Sequence, residues 1–95
     1  MKVQRITKNV NQGCMDELIE FLKEHRERHG FTYRLYQSNF GTADQIAFEM
    51  EFEDFAAYEK FWADWFATPE MPDFGKRFIE LVKSGGKNEL WNLIE

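Results

Sequence analysis

Two hydrophobic rhythms run along the chain. In DQIAFEMEFED, Ile46, Phe48, Met50 and Phe52 occupy alternate positions with Ala47, Glu49 and Glu51 between them, the period of a strand with one buried face. In CMDELIEFLKEHRERHG, Met15, Leu18, Ile19, Leu22 and His25 recur at helical spacing. Acids open that segment, bases close it and Gly30 follows, which predicts a helix whose ends suit its dipole and its C-cap.

The remaining segments fall into place around these two. MKVQRITKNV runs into the turn signal NQG and predicts a first strand. FTYRLYQSNFG is aromatic and β-branched, and with GTAD as the connection it predicts a hairpin with DQIAFEMEFED. A second helix is expected from about Asp54, and Phe55, Tyr58, Phe61, Trp62, Trp65 and Phe66 fall within an arc of about 140° at helical pitch. Pro69 and Pro72 bracket a break in TPEMPD, since proline lacks the amide that continues a helix. A further helical run carries Phe74, Phe78, Leu81 and Val82 up to SGG, and KNELWNLIE reads as a fourth strand.

The order βαββαβ, with the second helix broken near Pro69–Pro72, predicts an α+β, ferredoxin-like domain over residues 1–95. In that arrangement the helices cover one face of an antiparallel four-stranded sheet. The other face also carries large groups: Trp91 and Leu93 from strand four, Tyr36 and Phe40 from strand two. Arg34, Glu49, Glu51 and Trp91 therefore define an expected dimer face, on which a second copy of the chain packs. Arg34 and Arg5 are expected to pair with the two glutamates across neighbouring strands.

Composition narrows the function. The chain has 95 residues, enough for one modest core, and 17% of them are aromatic, a large share for that core to absorb. A formal charge of −5 argues against a nucleic-acid partner, which needs a clustered positive surface. There is no signal-like h-region and no run of about 18 uncharged apolar residues, so a soluble cytoplasmic protein without membrane association is expected. The single Cys14 agrees with a reducing compartment.

The run SNFGTADQIAFEMEFEDFAAYEKFWADW combines a glycine turn, an alternating strand ending acid-aromatic-acid and an aromatic helix. It resembles the central segment of NIPSNAP-like proteins, and the layout from MKVQRI to NELWNLIE is similar to the dimeric α+β barrel superfamily, which includes antibiotic-biosynthesis-type monooxygenases. The resemblance implies two sheets packed face to face in a dimeric α/β barrel, with a cleft between helices and sheet in each subunit. Enzymes of that group often take aromatic substrates in the cleft, some without a cofactor, and use different residues from one subfamily to another. Haem-degrading members use an asparagine on strand one, a tryptophan on the second helix and an axial histidine later. Asn9 and Trp62 or Trp65 loosely match the first two, but no histidine follows His29, so no haem is expected.

Candidate chemistry is sparse. Trp62, Trp65, Phe66 and Met71 surround the proline-broken segment and form the expected walls of a ligand pocket, with Glu70 and Asp73 near its mouth. His25 and His29 lie four apart on one helix face, within reach of a common metal. The sequence assigns no carboxylate to complete such a site, and helix-terminal cations are the plainer reading, so no metal and no cofactor are expected. His25, His29 and Tyr33 are the candidate catalytic groups; Tyr33 and Tyr36 fall on opposite faces of strand two. Cys14 sits at a helix start, which lowers a thiol pKa, but Asp16 and Glu17 oppose that.

Two functions fit. One is a homodimer that binds a small apolar or aromatic molecule in the helix–sheet cleft, with a cofactor-independent monooxygenase or isomerase as its catalytic form. The other is a non-catalytic homodimerisation module in which the rings are only packing. No nucleophile–base pair or glycine-rich phosphate loop is visible, so catalysis stays open.

Overall fold

The computed structural model describes residues 1–94. Its elements are β1 (Lys2–Asn9), α1 (Met15–His29), β2 (Arg34–Gln37), β3 (Gln45–Phe52), α2 (Phe55–Phe66), α3 (Met71–Leu81) and β4 (Lys87–Asn92). The strands form one antiparallel sheet in the order β2-β3-β1-β4, the ferredoxin-like α+β arrangement expected. β1 pairs with β3 along its whole length, from Lys2 opposite Phe52 to Asn9 opposite Gln45. That register turns Gln4, Ile6, Ile46, Phe48, Met50 and Phe52 toward the helices, and Arg5, Glu49 and Glu51 away from them.

Helix α1 ends where Gly30 takes a left-handed conformation, φ 67°, and its amide reaches back to the Glu27 carbonyl. Leu18 and Leu22 are its fully buried positions, and they pack with Val10, Ile46, Leu81 and Val82 in the main core cluster. Removing each such side chain from water stabilises the fold by about 1.5–3 kcal/mol. A second cluster, Tyr33, Met50 and Phe52, takes Phe61 and Trp62 of α2 onto its flank. Helix α2 begins at Asp54, whose Oδ1 accepts the Ala57 amide at 2.8 Å.

The structure corrects several boundaries. Strand two is only four residues long, because Ser38 closes the hairpin early: its amide donates to the Gln45 carbonyl at 3.0 Å and its hydroxyl accepts the Gln45 amide at 3.2 Å. Phe40 therefore lies in the connecting loop, 94% exposed, and not on the sheet face. The helical break spans 67–70 alone, and Pro72 sits in the first turn of α3, where its missing amide has no partner to lose. Strand four ends at Asn92; the expected extension through Leu93 and Ile94 is not strand, and Glu95 lies outside the described residues. Phe55 and Phe66, at the two ends of the α2 stripe, are more than half exposed.

Candidate functional site

Between the helices and the sheet lies a cavity of about 400 Å³. Its floor is Ile6, Phe48 and Met50, and Trp62, Trp65 and Phe66 form one wall. Met71, Phe74 and Phe78 form another. The opening for this wall is the break after Phe66: α2 stops, the chain passes through Ala67–Glu70, and α3 begins at Met71. All four expected pocket residues, Trp62, Trp65, Phe66 and Met71, line this one space, together with His25 and Tyr33.

The β4 side of the cavity was not foreseen. Gly85, Gly86, Lys87 and Asn88 line it beside Lys8 and Ile79. Gly86, at φ +95°, lies so close to the Thr7 carbonyl that a Cβ would overlap it. SGG reads in sequence as a helix stop, and only the β1–β4 pairing turns it into a cavity wall. Next to it, the buried Gln4 donates from Nε2 to Asn88 at 2.8 Å and accepts the Trp62 indole N–H at 2.7 Å. These two bonds satisfy a polar side chain that would otherwise be stranded under an aromatic helix.

His25 is the most constrained polar group here. It is 4% exposed and ringed by Phe31, Trp65 and Phe74, with ring centroids 5.3, 4.7 and 4.3 Å away. Burial, helped by the neighbouring His29, pushes its pKa down to about 4, so the imidazole is neutral and is not the helix-terminal cation that the sequence suggested. Its tautomer follows from its partner. Tyr33 Oη donates its one proton to the Leu22 carbonyl at 2.7 Å, so at 2.9 Å from His25 Nδ1 it can only accept. Nδ1 therefore carries the ring proton, and Nε2 holds a lone pair, shielded from water and without a partner. Burial raises the Tyr33 pKa, keeping it a phenol.

His29 does not line the cavity. Its Nε2 meets Glu70 Oε2 at 2.6 Å, and Arg28 Nη2 reaches the same oxygen at 3.1 Å. The hydrogen bond from His29 is the main cause holding the Glu70 carboxyl below its ordinary value. One ligand atom from each of His25, His29 and Glu70 lies within 4.8 Å of the other two, the third ligand that the sequence left unassigned. Asp73 lines no part of the cavity, and Cys14 is a half-buried free thiol at the N-cap of α1.

The far side of the sheet carries a charge network. Glu49 accepts Arg5 Nη2 at 2.6 Å on Oε2 and Arg34 Nη2 at 2.7 Å on Oε1, and Glu51 accepts Arg34 at 3.2 Å. The bond from Arg34, then that from Arg5, holds the Glu49 carboxyl below the ordinary carboxylate value, and the same bond raises Arg34. Tyr36 and Trp91 flank this network and remain 46% and 57% exposed. Tyr33 and Tyr36 do fall on opposite faces, Tyr33 with the core and Tyr36 with Glu49.

With this geometry in place, the class is an α+β ferredoxin-like domain with one broken helix and an aromatic cleft. No family model and no curated protein matches the sequence. Solved structures do match its fold. An uncharacterised NIPSNAP domain protein from Burkholderia xenovorans aligns with TM-score 0.84 at 15% identity, covering 99% of this chain and 95% of that one. A NIPSNAP family protein from Agrobacterium tumefaciens aligns with TM-score 0.84 at 11% identity over 99% and 93%. An antibiotic biosynthesis monooxygenase aligns with TM-score 0.73 at 15% identity over all of both chains. The chain thus has the fold shared by NIPSNAP-domain and antibiotic-biosynthesis-monooxygenase proteins, the resemblance read from SNFGTADQIAFEMEFEDFAAYEKFWADW. Among the described residues no helix is long and apolar enough to cross a membrane.

Proposed function

We propose that the protein is a homodimer whose subunits each bind a small, flat, apolar or aromatic molecule in the helix–sheet cavity. The observation that carries this reading is the cavity itself: about 400 Å³ walled by Trp62, Trp65, Phe66 and Phe74, with few polar groups. Such a space suits one or two fused rings, and pockets of this size and lining are the usual form of small-molecule sites. A monooxygenase or isomerase that works without a cofactor is the catalytic form of the proposal, supported by the fold shared with an antibiotic biosynthesis monooxygenase. The second copy packs on the sheet face that holds Arg34, Glu49, Glu51 and Trp91. A reducing cytoplasm is its proposed setting, in keeping with the lone thiol of Cys14.

One observation favours a second reading. Tyr36 and Trp91 stay exposed beside a satisfied charge network, and a second copy covering them needs nothing from the cavity, so a non-catalytic homodimerisation module is the alternative. Native mass spectrometry, combined with tryptophan fluorescence during titration with naphthalene-sized aromatics and quinones, separates the two. A dimer with a bound adduct, or quenching that saturates, supports the ligand-binding reading. A dimer with neither supports the module, and a monomer at micromolar concentration overturns the shared dimer.

A further inference from the structure

The orphaned Nε2 of His25 lies in a setting that hydrogen bonding alone leaves unexplained. A buried imidazole nitrogen without a partner costs about 1–3 kcal/mol, so its placement calls for a ligand that the bare chain does not supply. The second nitrogen is locked: Nδ1–H donates to Tyr33 Oη, and Tyr33 donates on to the Leu22 carbonyl. This relay is the arrangement that fixes a metal-binding histidine, in which one ring nitrogen donates to an oriented acceptor and the other presents its lone pair to the ion. One turn along α1 stands His29, and the α2–α3 break brings Glu70 against it, with donor atoms of all three within 4.8 Å of one another.

We propose that His25, His29 and Glu70 form a binding site for one first-row divalent transition-metal ion of the zinc, cobalt(II) or iron(II) class. Two imidazoles and one carboxylate are the donor set such ions accept, and three protein ligands leave further positions for water or another small ligand. At zinc-to-nitrogen bonds near 2.0–2.1 Å, tetrahedral donors sit about 3.3 Å apart, so the widest pair here, no more than 4.8 Å apart, must close by at most about 1.5 Å, while His29 and Glu70, 2.6 Å apart, must part slightly. His29 and Glu70 supply that movement, because their side chains are 23% and 37% exposed while His25 is held fast. The same exposure gives the ion its way in. Both bonds that Glu70 now makes fall on Oε2, so Oε1 can ligate the ion while Arg28 keeps its hold on the other oxygen. On binding, the proton on His29 Nε2 that Glu70 now accepts passes to solvent, the ring carries its one proton on Nδ1, and the Nε2 lone pair so freed turns to the metal. The ion would stand beside the cavity, because His25 also belongs to the cavity wall. The site does not depend on any organic ligand occupying that space.

The test uses the full chain, stripped of metal by chelator and dialysed, then titrated with Co2+ and separately with Zn2+. The expected result is one equivalent bound per chain, with d–d bands in the visible spectrum for Co2+ and quenching of the indole of Trp65, 4.7 Å from the His25 ring. His29→Ala and Glu70→Gln change partly exposed side chains and are expected to remain folded by circular dichroism, yet to bind Co2+ at least about tenfold more weakly. Tyr33→Phe is a third variant: it keeps all three donors but removes the acceptor that orients His25, and a weakening of about 10–100-fold is expected. No stoichiometric binding by the wild-type chain overturns the proposal. Binding that persists at wild-type strength in either His29→Ala or Glu70→Gln also overturns it, since the ion would then lie elsewhere.

Discussion

Trp62 on α2 donates its indole N–H to Gln4 Oε1 on β1 across 2.7 Å, joining residues 58 positions apart at the edge of the cavity. Gln4 is 1% exposed, and its amide is passed on to Asn88 of β4, so one buried side chain ties a helix to two strands. Trp62→Phe keeps most of the ring but strands the Gln4 oxygen, which is expected to cost about 1–3 kcal/mol in urea unfolding. Gln4→Leu removes the acceptor of the half-buried Trp62 indole N–H, while the exposed Asn88 returns to water, and is expected to cost no more than that. The double variant should cost less than the sum of the two, because the groups fail together. Simple additivity would show that the bond carries no coupling.

Tyr33 makes a different kind of link. Its hydroxyl accepts from His25 and donates to the Leu22 carbonyl, all within a region closed to water. Tyr33→Phe conserves the ring that packs with Met50 and Phe52 but leaves the buried Nδ1–H of His25 unpaired and takes away the second donor to the Leu22 carbonyl, which keeps its place in the α1 ladder. A loss of about 1–3 kcal/mol in unfolding free energy is expected, with far-UV circular dichroism unchanged. A variant as stable as wild type would mean that water or a shifted ring replaces both bonds.

The charge network on the open sheet face predicts an acid sensitivity. Glu49 faces Arg5 of β1 and Arg34 and Tyr36 of β2, with Glu51 two positions along its own strand and Glu89 of β4 beyond Arg5. Its folded pKa is depressed below the ordinary carboxylate value of 4.5. The stability it contributes is therefore present above that value and is lost as pH falls through the lower folded value. Glu49→Gln should flatten this part of the stability–pH curve and leave the slope at neutral pH unchanged. Parallel curves for the two proteins between neutral pH and acid unfolding would rule Glu49 out as a cause.

How much of this was legible in the sequence depended on the range of the contacts involved. The period-two run from Ile46 to Phe52 and the helical run from Met15 to His25 each state their own burial pattern, so the element order, the antiparallel sheet and the two faces could be read from them. Trp62, Trp65, Phe66 and Met71 were legible as neighbours because they flank one break. His25 was not: its place on an apolar stripe was plain, but its lost charge comes from burial against Phe31, Trp65 and Phe74, residues brought in from elsewhere in the chain. The same holds for Glu70, 41 residues from His29, because no local pattern selects one exposed acid among many. The short strand two was missed for a local reason, as Ser38 ends the ladder with its own hydroxyl where the aromatic spacing continues to Phe40.

The glycine pair between α3 and β4 separates backbone strain from steric closure. Gly85 and Gly86 both have positive φ, +91° and +95°, and both line the cavity. A Cβ on Gly85 would meet open space, so Gly85→Ala should cost only the backbone strain, about 1–3 kcal/mol. On Gly86 it would also press on the Thr7 carbonyl, which belongs to β1 and cannot swing aside as a flexible side chain would. Gly86→Ala should therefore destabilise clearly more than Gly85→Ala in thermal unfolding. It should also push the start of β4 away from β1, with faster amide exchange in Lys87 and Asn88, and change the shape of the cavity where those residues meet it. Equal losses for the two variants would show that the β1–β4 approach is loose enough to absorb a methyl group, and that the β4 wall of the cavity is not set by Gly86.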